Sequence, residues 1–143
     1  MSQTEAAAWT ALAHEGLRTS SVVWLTLPGS RQPRIAWHVW HDDAALVIHG
    51  GSEQQLPGLD QLQRVEFCVR SSHSGALLVR GIASAHTLSA SDPGWAAAAA
   101  ALHAHRQSPP DGGLQPSRWA AQCTLTCLVP LAPALPSPAQ TGR

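Results

Sequence analysis

The sequence contains no lysine: all nine of its basic residues are arginines. That excludes Schiff-base and lysine-nucleophile chemistry. Charge of either sign is scarce, at 13 % of residues, against roughly 25 % in ordinary globular domains. A surface so poor in charge is expected to be covered in part by a partner subunit. The formal net charge is zero, which argues against a nucleic-acid binder, since such proteins carry a basic excess or stripe. Three cysteines, Cys68, Cys123 and Cys127, do not make a disulfide framework. No apolar run approaches a membrane span and no basic-plus-apolar leader is present, so a cytoplasmic protein is expected. Nucleophile elbow, Walker loop, Rossmann glycine set and HExxH are all missing.

What is present reads as one domain with one core, a length of 143 residues being suited to that. Ser2 and Glu5 make a capping box, and Trp9, Leu12, Ala13, Gly16 and Leu17 mark one face of a helix that Gly16 is expected to stop. Ser21 to Leu27 is rich in β-branched and aromatic residues and predicts a strand. Arg34 to His41 alternates, with Ile35, Trp37 and Val39 on one face and Arg34, Ala36, His38 and Trp40 on the other. Asp42-Asp43 turns it into a strand over Ala45 to His49, giving a hairpin. Gly50-Gly51-Ser52 breaks the pattern, and Leu56, Leu59 and Leu62 predict a short helix. Arg64 to Ser71 and Ala76 to Leu88 predict two more strands, with a bulge or bend at Gly81. Asp92-Pro93 is expected to cap a helix from Gly94 to Arg106. A Pro/Gly-rich loop, Ser108 to Pro116, leads to a last strand from about Ala121 to Val129. The proline-rich remainder, 131–143, is expected to be a disordered tail after a domain of residues 1–130. The expected fold class is mainly β with a few helices: six strands in hairpin order, an antiparallel barrel or curled sheet.

This order is similar to that of the flavin-binding split barrels, the pyridoxamine 5'-phosphate oxidase-like proteins. The resemblance is carried by QPRIAWHVWHDDAALVIHG (Gln32 to Gly50), LDQLQRVEFCV (Leu59 to Val69) and LVRGIA (Leu78 to Ala83), in sequence order, within roughly residues 8–130. It implies a six-stranded antiparallel split β-barrel that forms a homodimer. It also implies FMN, a deazaflavin or haem held between the subunits. In the resembled family a basic residue after the third strand holds the flavin phosphate; its position here is Gln55, and an asparagine position is Gly58. A neutral amide makes a phosphate contact roughly half as strong as a charged donor. Gly51 and the Ser52 hydroxyl are candidate neutral donors, with charge supplied by Arg34 or Arg70. His38, Trp40 and His49 either face the cofactor ring or lie on the barrel exterior or dimer interface.

The remaining tryptophans, Trp9, Trp24, Trp37, Trp95 and Trp119, are expected as core or interface anchors. Cys123 and Cys127, four apart on a strand, would lie about 13 Å apart, too far for a disulfide or a shared metal. His86, His103 and His105 find no third ligand at a recognisable spacing, so no metal is expected. Three readings follow. One is an FMN- or deazaflavin-dependent oxidoreductase with an unassigned small-molecule substrate, its hydride chemistry supplied by the cofactor. The second is a non-catalytic split-barrel dimer without tight cofactor binding. The third, minor, is a haem-handling barrel with His38 or His49 as axial ligand.

Overall fold

The structure is a computed structural model that describes residues 2–106 and 112–134. Helix α1 runs Gln3–Thr19, and its first turn is closed by Ser2, whose Oγ accepts from the Glu5 N–H at 3.1 Å. Gly16 does not stop this helix. It lies inside it and lets the helix approach Val69 and Val79, with Val79 Cγ1 3.3 Å from where a Cβ would be. Strands β1 (Val22–Thr26), β2 (Arg34–Trp37), β3 (Val39–His41), β4 (Ala44–His49), β5 (Arg64–Arg70) and β6 (Leu77–Leu88) follow, with a 3-10 turn at Leu59–Gln61 before β5. Helices α2 (Trp95–Ala104) and α3 (Gln115–Gln122) precede the last strand, β7 (Thr124–Pro133).

There are seven strands rather than the expected six, because the stretch Arg34 to His41 is two strands. The chain turns at His38, whose N–H donates to the Ser21 carbonyl at 3.0 Å. The half before it pairs antiparallel with β1, and the half after it pairs with β4. The sheet order is β2-β1-β5-β6-β7-β4-β3, antiparallel throughout. Its two edge strands are therefore neighbours in sequence, joined at His38, and the sheet between them is a curled half-barrel. Asp42 and Asp43 both take positive φ (51° and 60°) in the β3–β4 hairpin, the geometry that a two-residue turn between twisted strands requires.

Period-two alternation sorts side chains to the two faces of the curled sheet. The inner core gathers Val23, Leu25, Ala36, Val47, Val65, Phe67, Val79 and Leu128, closed by Ala13 and Leu17 of α1. The outer face of β3, β4 and β7 is covered by α2 and α3. Val39, Leu46, Ile48 and Leu125 pack there against Ala98, Ala99, Leu102 and Trp119. Of the other expected anchors, Trp9, Trp37 and Trp95 pack partly buried against one core or the other.

Three further expectations are corrected. Asp92 does not cap α2: its carboxylate accepts from Ser89 N–H and closes a turn, and Gly94 is the N-cap. Residues 115–122 are helical, so Ala121 and Gln122 lie in α3, and Cys123 is its C-cap rather than a strand residue. The last strand continues to Pro133, four residues past Val129; the rest of the expected tail, from 135 onward, and part of the 108–116 loop lie outside the described residues.

Gly81 answers to two close approaches, from Trp9 and from the Ala132 backbone. The six-membered ring of Trp9 lies across it, with Nε1 donating to the Arg80 carbonyl at 3.1 Å. A Cβ at Gly81 would come within 2.1 Å of Trp9 Cζ2 and 2.6 Å of the Ala132 carbonyl oxygen. Gly81→Ala is expected to destabilise the fold by at least about 2 kcal/mol, since neither a ring nor a backbone carbonyl yields easily in a packed core. A urea-unfolding midpoint unchanged from the parent would contradict this.

Candidate functional site

The loop that leaves β4 is built around Glu53. Gly50 and Gly51 both have positive φ (85° and 56°) and turn the chain back. Gly51 packs so tightly on the end of α3 that a Cβ there would sit 2.8 Å from the Gln122 carbonyl oxygen. This turn places the Glu53 side chain, only 6 % exposed, beside α3 and the segment that follows α2. Arg106 Nη1 donates to Glu53 Oε1 at 2.5 Å, and Arg118 Nη2 donates to Oε2 at 2.9 Å. Trp119 Nε1 adds a third bond to Oε2 at 3.1 Å. Burial alone would push the Glu53 carboxyl up. The bonds from Arg106, Arg118 and Trp119 outweigh it and hold the group below the usual carboxylate range.

Gln54 latches the same loop to the sheet. Its side-chain oxygen accepts from Trp37 N–H at 2.8 Å, and its amide nitrogen donates to the carbonyls of Trp37 (2.9 Å) and Ile48 (3.1 Å). The bonds fall where β2 ends and satisfy backbone groups that the turn at His38 takes out of the ladder. The guanidinium of Arg106 lies over the Trp37 ring, 5.6 Å from its centroid. Trp37, Gln54, Glu53, Arg106 and His105 line an open cleft of about 320 Å³.

The residues singled out from sequence fall into three places. Gly51, Ser52 and Gln55 are in this loop, and Arg34 reaches it, donating to the Gln55 carbonyl at 2.9 Å. Each polar side chain there has an internal partner: Ser52 Oγ accepts from Arg118 at 2.6 Å, and the Gln55 amide donates to the carbonyls of Gly51 and Glu53, both at 2.9 Å. His38, Trp40 and His49 belong to the inner side of the barrel. His38 donates from Nε2 to the Leu17 carbonyl at 2.8 Å, while its Nδ1 is buried without a protein partner. Trp40 packs on the inner core beside His14, with ring centroids 5.1 Å apart. His49 Nε2 lies 2.9 Å from Thr126 Oγ1, which is itself 3.2 Å from Thr87 Oγ1. Arg70 stands apart, on β5 across β1 from Arg34, donating to the Gly75 carbonyl at 3.1 Å.

Glu53, Gln54, Arg106, Arg118 and Trp119 were not legible as a group, since the loop after β4, the segment just past α2 and helix α3 contribute them, with Glu53 and its partners 53 to 66 residues apart. The one available signal was scarcity: with nine acidic residues in the chain, an acid between Gly-Gly-Ser and Gln-Gln invites a search for its partner. The cysteines are free, and burial pushes all three thiols up, away from thiolate reactivity. His103 and His105 bond to Gln115 and to the Ala101 carbonyl. Among the described residues no group of three or more His, Cys, Asp or Glu side chains is placed to hold a metal.

This architecture matches solved structures along nearly its whole length. HutZ, the haem storage protein of Vibrio cholerae, is 13 % identical over 86 % of this chain and 90 % of its own, with a TM-score of 0.54. A protein assigned as general stress protein 26 from Jannaschia sp. is 16 % identical over 87 % of this chain and 74 % of its own, with a TM-score of 0.57. A Clostridium acetobutylicum protein related to general stress protein 26, of the pyridoxinephosphate oxidase family, is 13 % identical over 86 % and 84 %, with a TM-score of 0.50. No protein-family model matches the sequence, and no curated protein does. The chain has the pyridoxamine-phosphate-oxidase-like split-barrel fold. At these identities the likeness is one of fold. No helix among the described residues is long and apolar enough to cross a membrane.

Burial lowers the pKa of both His38 and His49, partly opposed by the Leu17 carbonyl at His38 and by the charge of Asp60 at His49. Both rings are thus held neutral in the fold. An unfolded histidine titrates near 6.5, so the unfolded chain takes up these protons first as pH falls. Stability is then lost progressively below about pH 6.5, down to the lower folded values. Thermal unfolding is expected to show Tm dropping between about pH 7.5 and 5.5, with a shallower drop in His49→Gln. A flat profile across that range would refute the assignment.

Proposed function

We propose that this chain is a non-catalytic binding or regulatory split barrel that does not grip FMN or a deazaflavin through phosphate. One observation carries the reading: the donors that converge beside the loop after β4 are already on a carboxylate, that of Glu53. A phosphate entering there would have to displace a carboxylate held by two guanidiniums and the Trp119 indole N–H. The residues of the turn do not fit a flavin phosphate: Ser52 and Gln55 have internal partners, and Gly51 is pressed onto α3.

The competing reading, an FMN- or deazaflavin-dependent oxidoreductase with the cofactor near Arg34, Gly51, Ser52 and Gln55, draws on the fold and on the cavity beside Trp37. A haem reading draws on the likeness to HutZ, but His38 and His49 both engage Nε2 with partners inside the buried core. The two main readings separate by titration. Under the proposal, FMN and deazaflavin bind more weakly than about 100 μM, and Gln55→Lys, which adds the missing charge, tightens FMN by about tenfold. Low-micromolar FMN binding to the parent would overturn the proposal.

A second copy of the chain is the partner this reading implies. Ile35, Leu78 and Leu131 are 50 %, 46 % and 47 % exposed on strands of the outer sheet face. Exposed apolar residues on a surface poor in charge suit a subunit contact. Light scattering at micromolar concentration is expected to give twice the chain mass of 15.1 kDa; a monomer mass would contradict it.

A further inference from the structure

Trp24 belongs to neither core. On β1 the inward residues are Val23 and Leu25. Trp24 therefore stands on the outer face, between Ile35 of β2 and Cys68 of β5 in the ladder. Beside it lies a cleft of about 560 Å³, between the end of α1, the start of β1 and the turn that joins β5 to β6. That volume is within the range of roughly 300–1,000 Å³ typical of small-molecule sites.

The lining is of two kinds. Trp24, Val22, Ile35 and Leu78 give it apolar surface, and Ile35 and Leu78 are half exposed. The other part is polar and carries hydroxyls, His73 and the guanidinium of Arg70, with no Asp or Glu. Arg70 takes part in no ion pair among the described residues. Its Nη1 donates to the Gly75 carbonyl at 3.1 Å, which orients the guanidinium, and its charge also bears on the Cys68 thiol. Ser71 Oγ accepts from the backbone N–H groups of His73 (3.2 Å) and Ser74 (3.3 Å), so its own O–H proton is left to donate.

The end of a helix ordinarily disfavours a negative group. Here that pole is largely spent. The Glu15 carbonyl accepts from the Thr19 hydroxyl at 2.8 Å, the Leu17 carbonyl accepts from His38 Nε2 at 2.8 Å, and the Glu15 carboxylate is paired with Arg18. One permanent positive charge thus stands beside an indole with no carboxylate to answer it. A guanidinium matches a carboxylate in charge and in planar shape. A doubly charged phosphate would leave one charge without a permanent cation in the lining.

From these constraints we propose that the Trp24 cleft binds small carboxylic acids with a flat apolar body, as their carboxylates. The carboxylate is held by Arg70 and the Ser71 hydroxyl, and the body lies against Trp24, Ile35 and Leu78. The inference rests on the preceding reading of a binding barrel and names its ligand class. A second copy seated on Ile35 and Leu78, as proposed above, closes the apolar side of the cleft.

The test is calorimetric titration of the full chain with cinnamate, its uncharged twin cinnamamide, inorganic phosphate and FMN. Cinnamate is expected to bind with a dissociation constant of about 10–200 μM, and cinnamamide and phosphate at least about tenfold more weakly. Arg70→Gln, a change at an exposed side chain, is expected to weaken cinnamate by at least about tenfold with the circular dichroism spectrum unchanged. Trp24→Leu is expected to weaken it by about fivefold. If cinnamate does not bind up to about 1 mM, this inference falls and the reading of a phosphate-blind barrel stands. Equal binding of cinnamate and cinnamamide, or cinnamate binding that Arg70→Gln leaves unchanged, overturns the inference alone. Low-micromolar FMN binding that cinnamate does not displace overturns the preceding reading and leaves the carboxylate site in place. Low-micromolar FMN binding that cinnamate displaces and Arg70→Gln abolishes puts a flavin phosphate on Arg70, and both fall.

Discussion

The carboxylate of Glu53 sits where only 6 % of its side chain meets solvent, and three donors, from the segment just past α2 and from α3, converge on it. Removing a carboxylate from water costs several kcal/mol, offset only when geometry and hydrogen bonds are both good. Here they are, and the result is positional. The same loop is tied to the sheet by Gln54 and to α3 by Gly51. The two-helix layer, the turn after β4 and the ring of Trp37 are therefore located relative to one another by one ionised group.

A second constraint acts from inside. The inner core is almost wholly aliphatic, yet His38 and His49 are within it, each with one ring nitrogen engaged. Burial keeps both neutral. His38 also marks the bend that divides β2 from β3, its backbone bonding Ser21 while its ring bonds Leu17. One residue thus fixes the end of α1, the start of β1 and the change of strand partner.

The strands were legible because alternation survives in each: Val65, Phe67 and Val69 turn inward as their period requires. The split of Arg34 to His41 was not, because alternation runs through His38 unbroken while the hydrogen-bond partner changes, and partner choice is not a local property. Helix α3 escaped because eight residues opened by Pro116 hold barely two turns, with Trp119 as the one strong apolar mark. In the loop after β4, the sequence singles out Gly51, Ser52 and Gln55 but not Glu53, because a lone Glu53 between polar neighbours carries no local sign that Arg106 and Arg118 will close over it.

The meeting of β2 and β3 at His38 also bears on how this barrel can assemble. The two edge strands are four and three residues long, and each is the other's neighbour in the chain. Short edges of this kind give an incoming strand little backbone to pair with. Growth by strand addition, the route to runaway polymers, is thereby disfavoured at both edges. A companion that lies flat against a sheet face would instead meet side chains, which alternate across that face, rather than backbone amides.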